Sequence, residues 1–454
     1  MTELRELQDS IKVILSGENP DFKEFSTSEL VDYIDENPSS AERIILHLEP
    51  HRAVKTLKFL DIKIQKQLIH NLPSAKVASL IQTMHPDDRT ALLSELSSEA
   101  VKKLVFYLPQ DERLETLALL GYPGDSVGRL MNPDYIEVSV NDTVQDAILN
   151  IRKNAREIEN INYIYVVDEN DFFLDDINLK ELFIAEPHQK ISELMDAKYI
   201  TLNVHDDREE AAYEFRRNNR AVLPVTDDKG ILMGIVTIDD VLRVETEEAT
   251  EDIQKIGGTE ALDEPYMDTP FWELIKKRAP WLVILFVGEM FTATAMGFFE
   301  SEISKAVVLA LFIPLIISSG GNSGSQASTL IIRAMALDEI AFSDWFRVFK
   351  RELLTGLMLG GILAIIGFLR IIIWQNISPI YGEHYILIAA TVAFALIGVV
   401  IWGTVCGSML PIILRKIGLD PATSSAPFVA TLVDVTGLII YFSIAFLILH
   451  GTLL

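Results

Sequence analysis

Apolar residues recur along this chain with three different periods, and each predicts a different architecture. Between Leu48 and Leu108 one returns every twelve positions: Leu48, Leu60, Leu72, Met84, Leu96, Leu108. Helix-start signals follow most of them, at Glu49-Pro50, Pro73-Ser74, His85-Pro86-Asp87, Ser97-Ser98-Glu99 and Pro109-Gln110-Asp111. Proline is tolerated in a first helical turn, and Ser or Asp can cap the free N–H groups there. Each unit reads as one short helix, and stacking such units buries a core that none could bury alone. The pattern predicts an all-α superhelical domain over residues 1–129, with a docking or spacer role.

The second period is 64 residues and covers about 131–245. It pairs Leu130 with Leu194, Met131 with Met195, Ile136 with Ile200, Val138 with Leu202, Val140 with Val204, Asp142 with Asp206 and Ala147 with Ala211. Each copy alternates apolar residues in a short strand, passes through a helical stretch and reaches an apolar strand, at Tyr163–Val167 and Ala221–Val225. On these residues the segment resembles a tandem pair of cystathionine-β-synthase (CBS) domains, 130–193 and 194–245. The second copy carries Leu223-Pro224-Val225 and Gly234-Ile235-Val236-Thr237-Ile238-Asp239-Asp240. In that superfamily a Thr-x-x-Asp pair, here Thr237 and Asp240, can hold an adenosine ribose, so the resemblance implies ATP as a ligand of the second copy. The first copy has Asp175-Asp176-Ile177-Asn178 where the glycine-containing strand belongs.

Beyond Pro280 the apolar runs lengthen to those a bilayer requires, about 20 residues. Five are present: Pro280–Phe299, Ala306–Leu337, Leu353–Trp374, Tyr385–Leu414 and Ala426–Leu449. Lys276, Lys277 and Arg278 precede the first, Arg347, Lys350 and Arg351 lie between the second and third, and Arg415 and Lys416 lie between the fourth and fifth. The positive-inside rule then puts the N-terminal region in the cytoplasm and the C-terminus outside. The second run is expected to break at Ser318–Gln326, where Gly320, Gly321, Asn322, Gly324 and Gln326 either line a pore or serve close helix packing. Asp434 is the only formally charged side chain in Phe428–Leu449. Such a charge at bilayer depth costs at least about 2.5 kcal/mol, so it faces a cavity, a partner or an ion. Glu289, midway along the first run, either lines the same path or is a neutral structural acid. Asp420-Pro421 adds a carboxylate near the cytoplasmic mouth.

Charge is segregated along the same boundary. Residues 280–454 hold 8 Lys/Arg and 10 Asp/Glu, against 31 and 55 in residues 1–279, so the net charges are −2 and −24. An acidic region of this size disfavours nucleic acid and favours cations. Its densest stretch, with Glu245, Glu247, Glu248, Glu251 and Asp252, reads as a connecting helix over 246–270. With Asp227, Asp228, Asp239 and Asp240 it either shares divalent cations or forms a solvated face. Met1–Glu6 shows no basic n-region, so no cleavable signal is expected. Cys406 is the only cysteine, which excludes an intrachain disulfide and a Cys-based metal cluster. No G-x-x-x-x-G-K-[ST] or H-E-x-x-H pattern occurs, so nothing points to an enzyme or an ATP-driven pump.

Ser319-Gly320-Gly321-Asn322-Ser323-Gly324, Glu248-Ala249-Thr250-Glu251-Asp252 and Ala430-Thr431-Leu432-Val433-Asp434-Val435-Thr436-Gly437 stand in that relation along the chain. In them the chain resembles the MgtE-type magnesium channels over nearly its full length. The resemblance implies a homodimer in the cytoplasmic membrane, with a pore along the two-fold axis lined by the second and fifth helices and one ion facing both copies of Asp434. It also implies Mg²⁺ as both cargo and regulator. High internal Mg²⁺ would bridge the acidic surfaces of the CBS pair, the connecting helix and the N-domain, and close the pore. Motif position carries this sensing to Asp240, Glu248, Glu251 and Asp252, with Asp87 and Asp88 as further ligands. Arg243 stands where an acid is expected and Ala426 where a polar residue is expected. Two other readings stay open: a carrier coupling divalent movement to protons or sodium, and a membrane-anchored sensor of nucleotide or cation.

Overall fold

A computed structural model describes residues 10–17, 20–155, 158–262, 265–337 and 339–453, so Met1–Glu6 lies outside the described residues. The chain divides into two compact units, 1–247 and 248–454. The first opens with a stack of short helices: Thr27–Glu36, Ala41–His47, Pro50–Lys58, Ile62–Asn71, Ser74–Thr83, Pro86–Ser94, Ser98–Val105 and Gln110–Leu119. The twelve-residue period marks where these helices end. Leu48, Leu72 and Met84 are C-cap residues, and Leu60, Leu96 and Leu108 follow within three residues of a helix end. Five of the six are buried and Leu96 packs against them, so each turn between helices is pinned to one shared core. Proline opens the helices at Pro50 and Pro86, and Ser97 caps the helix at Ser98 by accepting from the Ala100 N–H.

Two three-stranded sheets follow, β1-β2-β3 (Glu137–Ser139, Tyr163–Val167, Phe173–Asn178) and β4-β5-β6 (Leu202–Asn203, Val222–Thr226, Leu232–Thr237). In each the first pair is parallel and the second antiparallel. The 64-residue spacing holds through the helices Val144–Asn154 and Arg208–Asn218, then falls to 59 at β2/β5 and β3/β6, because the first copy has a longer connection after its helix. The entry segment of the first copy packs on the second copy's sheet. Gly128 N–H donates to the Val204 carbonyl and Asn132 bridges to Ile235, while Val127 and Met131 join the core of Leu202, Leu223 and Val236. That bridge explains Gly234, since a Cβ there would lie 2.8 Å from the Asn132 carbonyl oxygen. In the first copy Asp175 takes the equivalent place, fully buried, and its Oδ2 accepts the backbone N–H groups of Asp196 and Ala197.

Helix Ile238–Ile256 continues directly from β6. Five helices are long and apolar enough to cross a membrane: Phe271–Phe298, Val307–Ala336, Phe342–Ile377, Tyr385–Lys416 and Ala426–Leu449. Here the structure corrects the expected break. Residues 318–326 lie inside one continuous helix, Ile313–Ala336, and the interruption falls earlier, at Leu311-Phe312. Glycine there serves close approach. A Cβ on Gly403 or Gly407 would strike the backbone carbonyl oxygen of Gly320 or Gly324, so the second and fourth spans meet backbone to backbone. A Cβ on Gly324 would sit 2.9 Å from Val429 and one on Gly320 would sit 2.9 Å from Val433, which brings the fifth span into the same contact.

Gly407→Ala should therefore lower the thermal stability of the detergent-solubilised protein by about 1–3 kcal/mol. Gly361→Ala, whose Cβ meets nothing within 4 Å, should leave it unchanged. Equal melting temperatures for the two variants would refute the backbone contact.

Candidate ion path and carboxylate clusters

The membrane site is built on the fifth span. Asp420 starts a short 3-10 turn, Pro421–Thr423, by accepting the Ala422 N–H at 2.8 Å. Ser425 then caps Ala426–Leu449, and its backbone is held through Ser325, whose Oγ donates to the Ala426 carbonyl at 3.0 Å, and Ser328, whose Oγ donates to the Ser424 carbonyl at 2.9 Å. Two turns on, Asp434 is half-buried and lies against the second span at Gly321, where a Cβ would be 3.5 Å from its Oδ1. Among the described residues no side chain donates a hydrogen bond to the Asp434 carboxylate. Glu289, exposed on the first span, is close enough to act on it electrostatically.

The Gly-rich stretch separates into two faces. Gly320 and Gly324 are packing residues, not lining residues, for the steric reason given above. Asn322 and Gln326 are exposed, along with Ser318, and Asn322 Nδ2 donates to Ser318 Oγ at 3.4 Å. These residues share one helix face at i and i+4, which puts amide and hydroxyl groups on a surface that hydrocarbon cannot solvate.

At the mouth, Asp420 already has a cation. Lys255, in the last turn of Ile238–Ile256, reaches Asp420 at 2.7 Å and Glu251 at 2.6 Å. Burial and the neighbouring Asp420 push Asp252 up to about 6, with Glu248 and Glu251 adding to the rise against Lys255. Two residues past the helix end, Gly258 has a φ of +74° that favours glycine, and a Cβ there would lie 2.7 Å from Trp281 Nε1 and 3.2 Å from Pro427 Cγ. Trp281 Nε1 donates to Ser425 Oγ at 3.2 Å, so the helix end, the first span and the cap of the fifth span are tied together.

The other cluster lies in residues 1–247. Asp87 and Asp88 fall in the first turn of Pro86–Ser94, where free N–H groups favour acids, and Asp240 in the first turn of Ile238–Ile256. One oxygen from each lies within 4.8 Å of the others, all three residues being buried. Asn132 Nδ2 bridges Asp87 and Glu159 at 3.1 Å each. Burial and Asp240 hold Asp87 well above the usual carboxylate range, and burial raises Asp240 against the pull of Lys58 and Arg243. Arg243, unexpected at its position, donates to Asp240 Oδ1 at 2.9 Å.

Two assigned roles change with this geometry. Asp227 is a turn residue, its Oδ1 accepting the N–H groups of Lys229 and Ile231 in the β5–β6 hairpin. Asp168 does the same for Asn170 and Phe172 in the first copy. Thr237 donates to Asp239 at 2.5 Å and to Asp240 at 2.9 Å, so the hydroxyl and carboxylate that suit a ribose are paired with each other. Lys58, Glu159, Asn132, Lys255, Gly403 and Gly407 were not signalled by any local pattern; each matters through a neighbour distant in sequence.

Comparison with known proteins agrees with this architecture. Residues 313–444 match the family model described as a divalent cation transporter, 25–125 the MgtE intracellular N domain, and 127–183 and 191–247 the CBS domain. The chain is 36% identical over 407 residues to the magnesium transporter MgtE of Thermus thermophilus, covering 84% of this chain and 88% of that one. It is 30% identical over 392 residues to the magnesium transporter MgtE of Bacillus subtilis, covering 86% and 85%. The crystal structure of the soluble part of a magnesium transporter superposes with a TM-score of 0.51 at 24% identity, covering 54% of this chain and 99% of that one, a likeness of fold.

Without divalent cations, Lys255→Met should speed proteolysis at residues 254–262 roughly fivefold, for about 1 kcal/mol from partly exposed pairs. Lys255→Arg should not. Unchanged cleavage in Lys255→Met would show that the bridge to Asp420 holds nothing.

Proposed function

The chain belongs to the MgtE family of magnesium transporters, and from that premise we propose that it is a passive Mg²⁺ channel whose ions pass Asp434 and whose closure is driven by Mg²⁺ on the cytoplasmic side. The observation that carries this reading is Asp434 itself, a half-buried carboxylate in a membrane span, facing a glycine and lacking a donor among the described residues. Mg²⁺ dehydrates reluctantly and is usually held by one or two carboxylates while keeping several waters.

A homodimer supplies what one chain leaves incomplete. The exposed face of Ser318, Asn322 and Gln326 needs water or protein at bilayer depth, and a two-fold axis beside it would place two Asp434 side chains around one path. The basic loops put residues 1–279 in the cytoplasm, where Mg²⁺ at Asp87, Asp88 and Asp240, and at Glu251, Asp252 and Asp420 with Glu248 nearby, would relieve carboxylate repulsion and hold the closed form. ATP binding at Thr237 and Asp240 would require Asp240 to leave Thr237 and Arg243, so nucleotide would act by competing with the closed arrangement.

Glu289 supports a second reading, since a second acid acting on Asp434 is what a proton-coupled carrier needs. Flux into proteoliposomes decides between them. The channel reading expects Mg²⁺ entry driven by an imposed potential with no proton or sodium gradient, and dependence on either gradient overturns it. Asp434→Ala should reduce flux to that of empty liposomes while the protein stays inserted and dimeric. Gly321→Val, which fills the space before the carboxylate, should cut it strongly. Normal flux in Asp434→Ala would remove the path from this residue.

A further inference from the structure

Lys58 is the last residue of helix Pro50–Lys58, and its side chain is only 13% exposed. Its ammonium lies 3.0 Å from Asp88, 2.9 Å from Asp239 and 3.7 Å from Glu159. These acids come from a different helix of the stack, the start of Ile238–Ile256 and the connection after the first copy's helix. A lysine has three donors and no acceptor, so three converging carboxylates match it as they would match an ion. The acids more than offset the burial that opposes its charge, and its ammonium is held above the ordinary lysine range.

Lys58 makes its close ion pairs with Asp88, Asp239 and Glu159, and its charge reaches Asp240 and Asp87 from further off. Asp87 is 3% exposed; its Oδ1 accepts from Asn132, and its Oδ2 has no hydrogen-bond partner among the described residues. Asp240 accepts from Thr237 at Oδ2 and from Arg243 at Oδ1. Among the described residues, the five carboxylates Asp87, Asp88, Glu159, Asp239 and Asp240 thus face Lys58 and Arg243, with His85 beside Glu159. The uncompensated charge is concentrated on the Asp87 side, where the oxygens of Asp87, Asp88 and Asp240 lie within 4.8 Å.

We propose that Lys58 is a tethered resident cation that limits this cluster to one divalent ion, held by Asp87, Asp88 and Asp240, and that keeps the helical stack docked on the CBS pair when that ion is absent. The proposal rests on the Mg²⁺-gated reading and specifies its regulation. A mobile Mg²⁺ leaves when its concentration falls; an ammonium on the chain cannot. Lys58 therefore sets a docking floor independent of Mg²⁺, and the single ion adds to that floor. It also fills the space between Asp88, Asp239 and Glu159 that a second divalent ion would need.

The test uses the full-length protein in lipid nanodiscs, with limited proteolysis between the helical stack and the CBS pair followed across a Mg²⁺ titration. In EDTA, Lys58→Met should be cut at least about tenfold faster than wild type, because a buried ion pair has lost one partner. Mg²⁺ should restore its protection, with the slope of the titration rising from about one ion to about two. Lys58→Arg should behave as wild type. Since Lys58→Met can fail by misfolding, the double variant Lys58→Met with Asp239→Asn removes one charge of each sign and should regain much of the EDTA protection. Equal cleavage of Lys58→Met and wild type in EDTA, an unchanged slope, or no recovery in the double variant overturns the proposal. A wild type indifferent to Mg²⁺ would instead defeat the gating reading, and the EDTA comparison of Lys58→Met with Lys58→Arg would still decide whether Lys58 holds the dock.

Discussion

Carboxylates forced together in a low-dielectric setting repel one another, and this fold is arranged around the ways that repulsion can be relieved. Burial raises the cost of each charge and weakens the screening between them. Three remedies appear: a proton, a cation attached to the chain and a cation from solution. Asp87 and Asp252 show the first in their raised affinity for protons. Lys58 and Lys255 supply the second, each bridging acids that are distant in sequence. The third is the one that the proposed gating uses, because the dissolved cation is then Mg²⁺ itself.

The membrane part answers a different constraint with the same economy of charge. Gly320, Gly324, Gly403 and Gly407 let the second and fourth spans touch backbone to backbone, which fixes the rotation of the second span. That rotation turns Gly321 toward Asp434 and leaves Ser318, Asn322 and Gln326 outward. The glycines that looked like a pore lining therefore do two jobs: some pack the helix, and one clears room for the carboxylate. Polar residues beside them, Ser318, Asn322 and Gln326, form the exposed face of the same helix.

Much of this was legible in the sequence because it depends on local periodicity. The twelve-residue repeat follows from helix ends pinned to one core, and the five spans follow from runs of apolar residues long enough to cross a bilayer. Asp434 was visible because a lone charge in an apolar run is costly. What could not be read was pairing at long range. Asp227 looked like a cation ligand because turn acids and metal acids have the same composition, and only its bonds to Lys229 and Ile231 separate them. Lys58 sits in a stretch with ordinary helix chemistry, and its meaning depends on Asp239, 181 residues away. Ser318–Gln326 reads as a break because it is polar and Gly-rich at bilayer depth, but packing on Gly403 and Gly407 keeps it helical and outweighs a cost of about 1 kcal/mol per glycine.

On the proposed Mg²⁺-gated reading, a tethered cation and an open cation site in one cluster divide a labour that neither could do alone. A ligand that binds one state stabilises it by an amount that grows only logarithmically with its concentration above the dissociation constant. A cluster relying wholly on dissolved ions would lose its closed form altogether at low Mg²⁺ and would have to rebuild a buried interface among five bare carboxylates. A cluster fully neutralised by lysine and arginine would not respond at all. Lys58 sits between these limits: it removes enough repulsion for the interface to persist and leaves Asp87 without the partner that would make it indifferent to a divalent ion. The same division is present at the mouth, where Lys255 holds Asp420 and Glu251 while Asp252 keeps its elevated proton affinity beside them. On the proposed reading, sensitivity to Mg²⁺ in this chain comes from incomplete neutralisation, and the position of each lysine decides how incomplete it is.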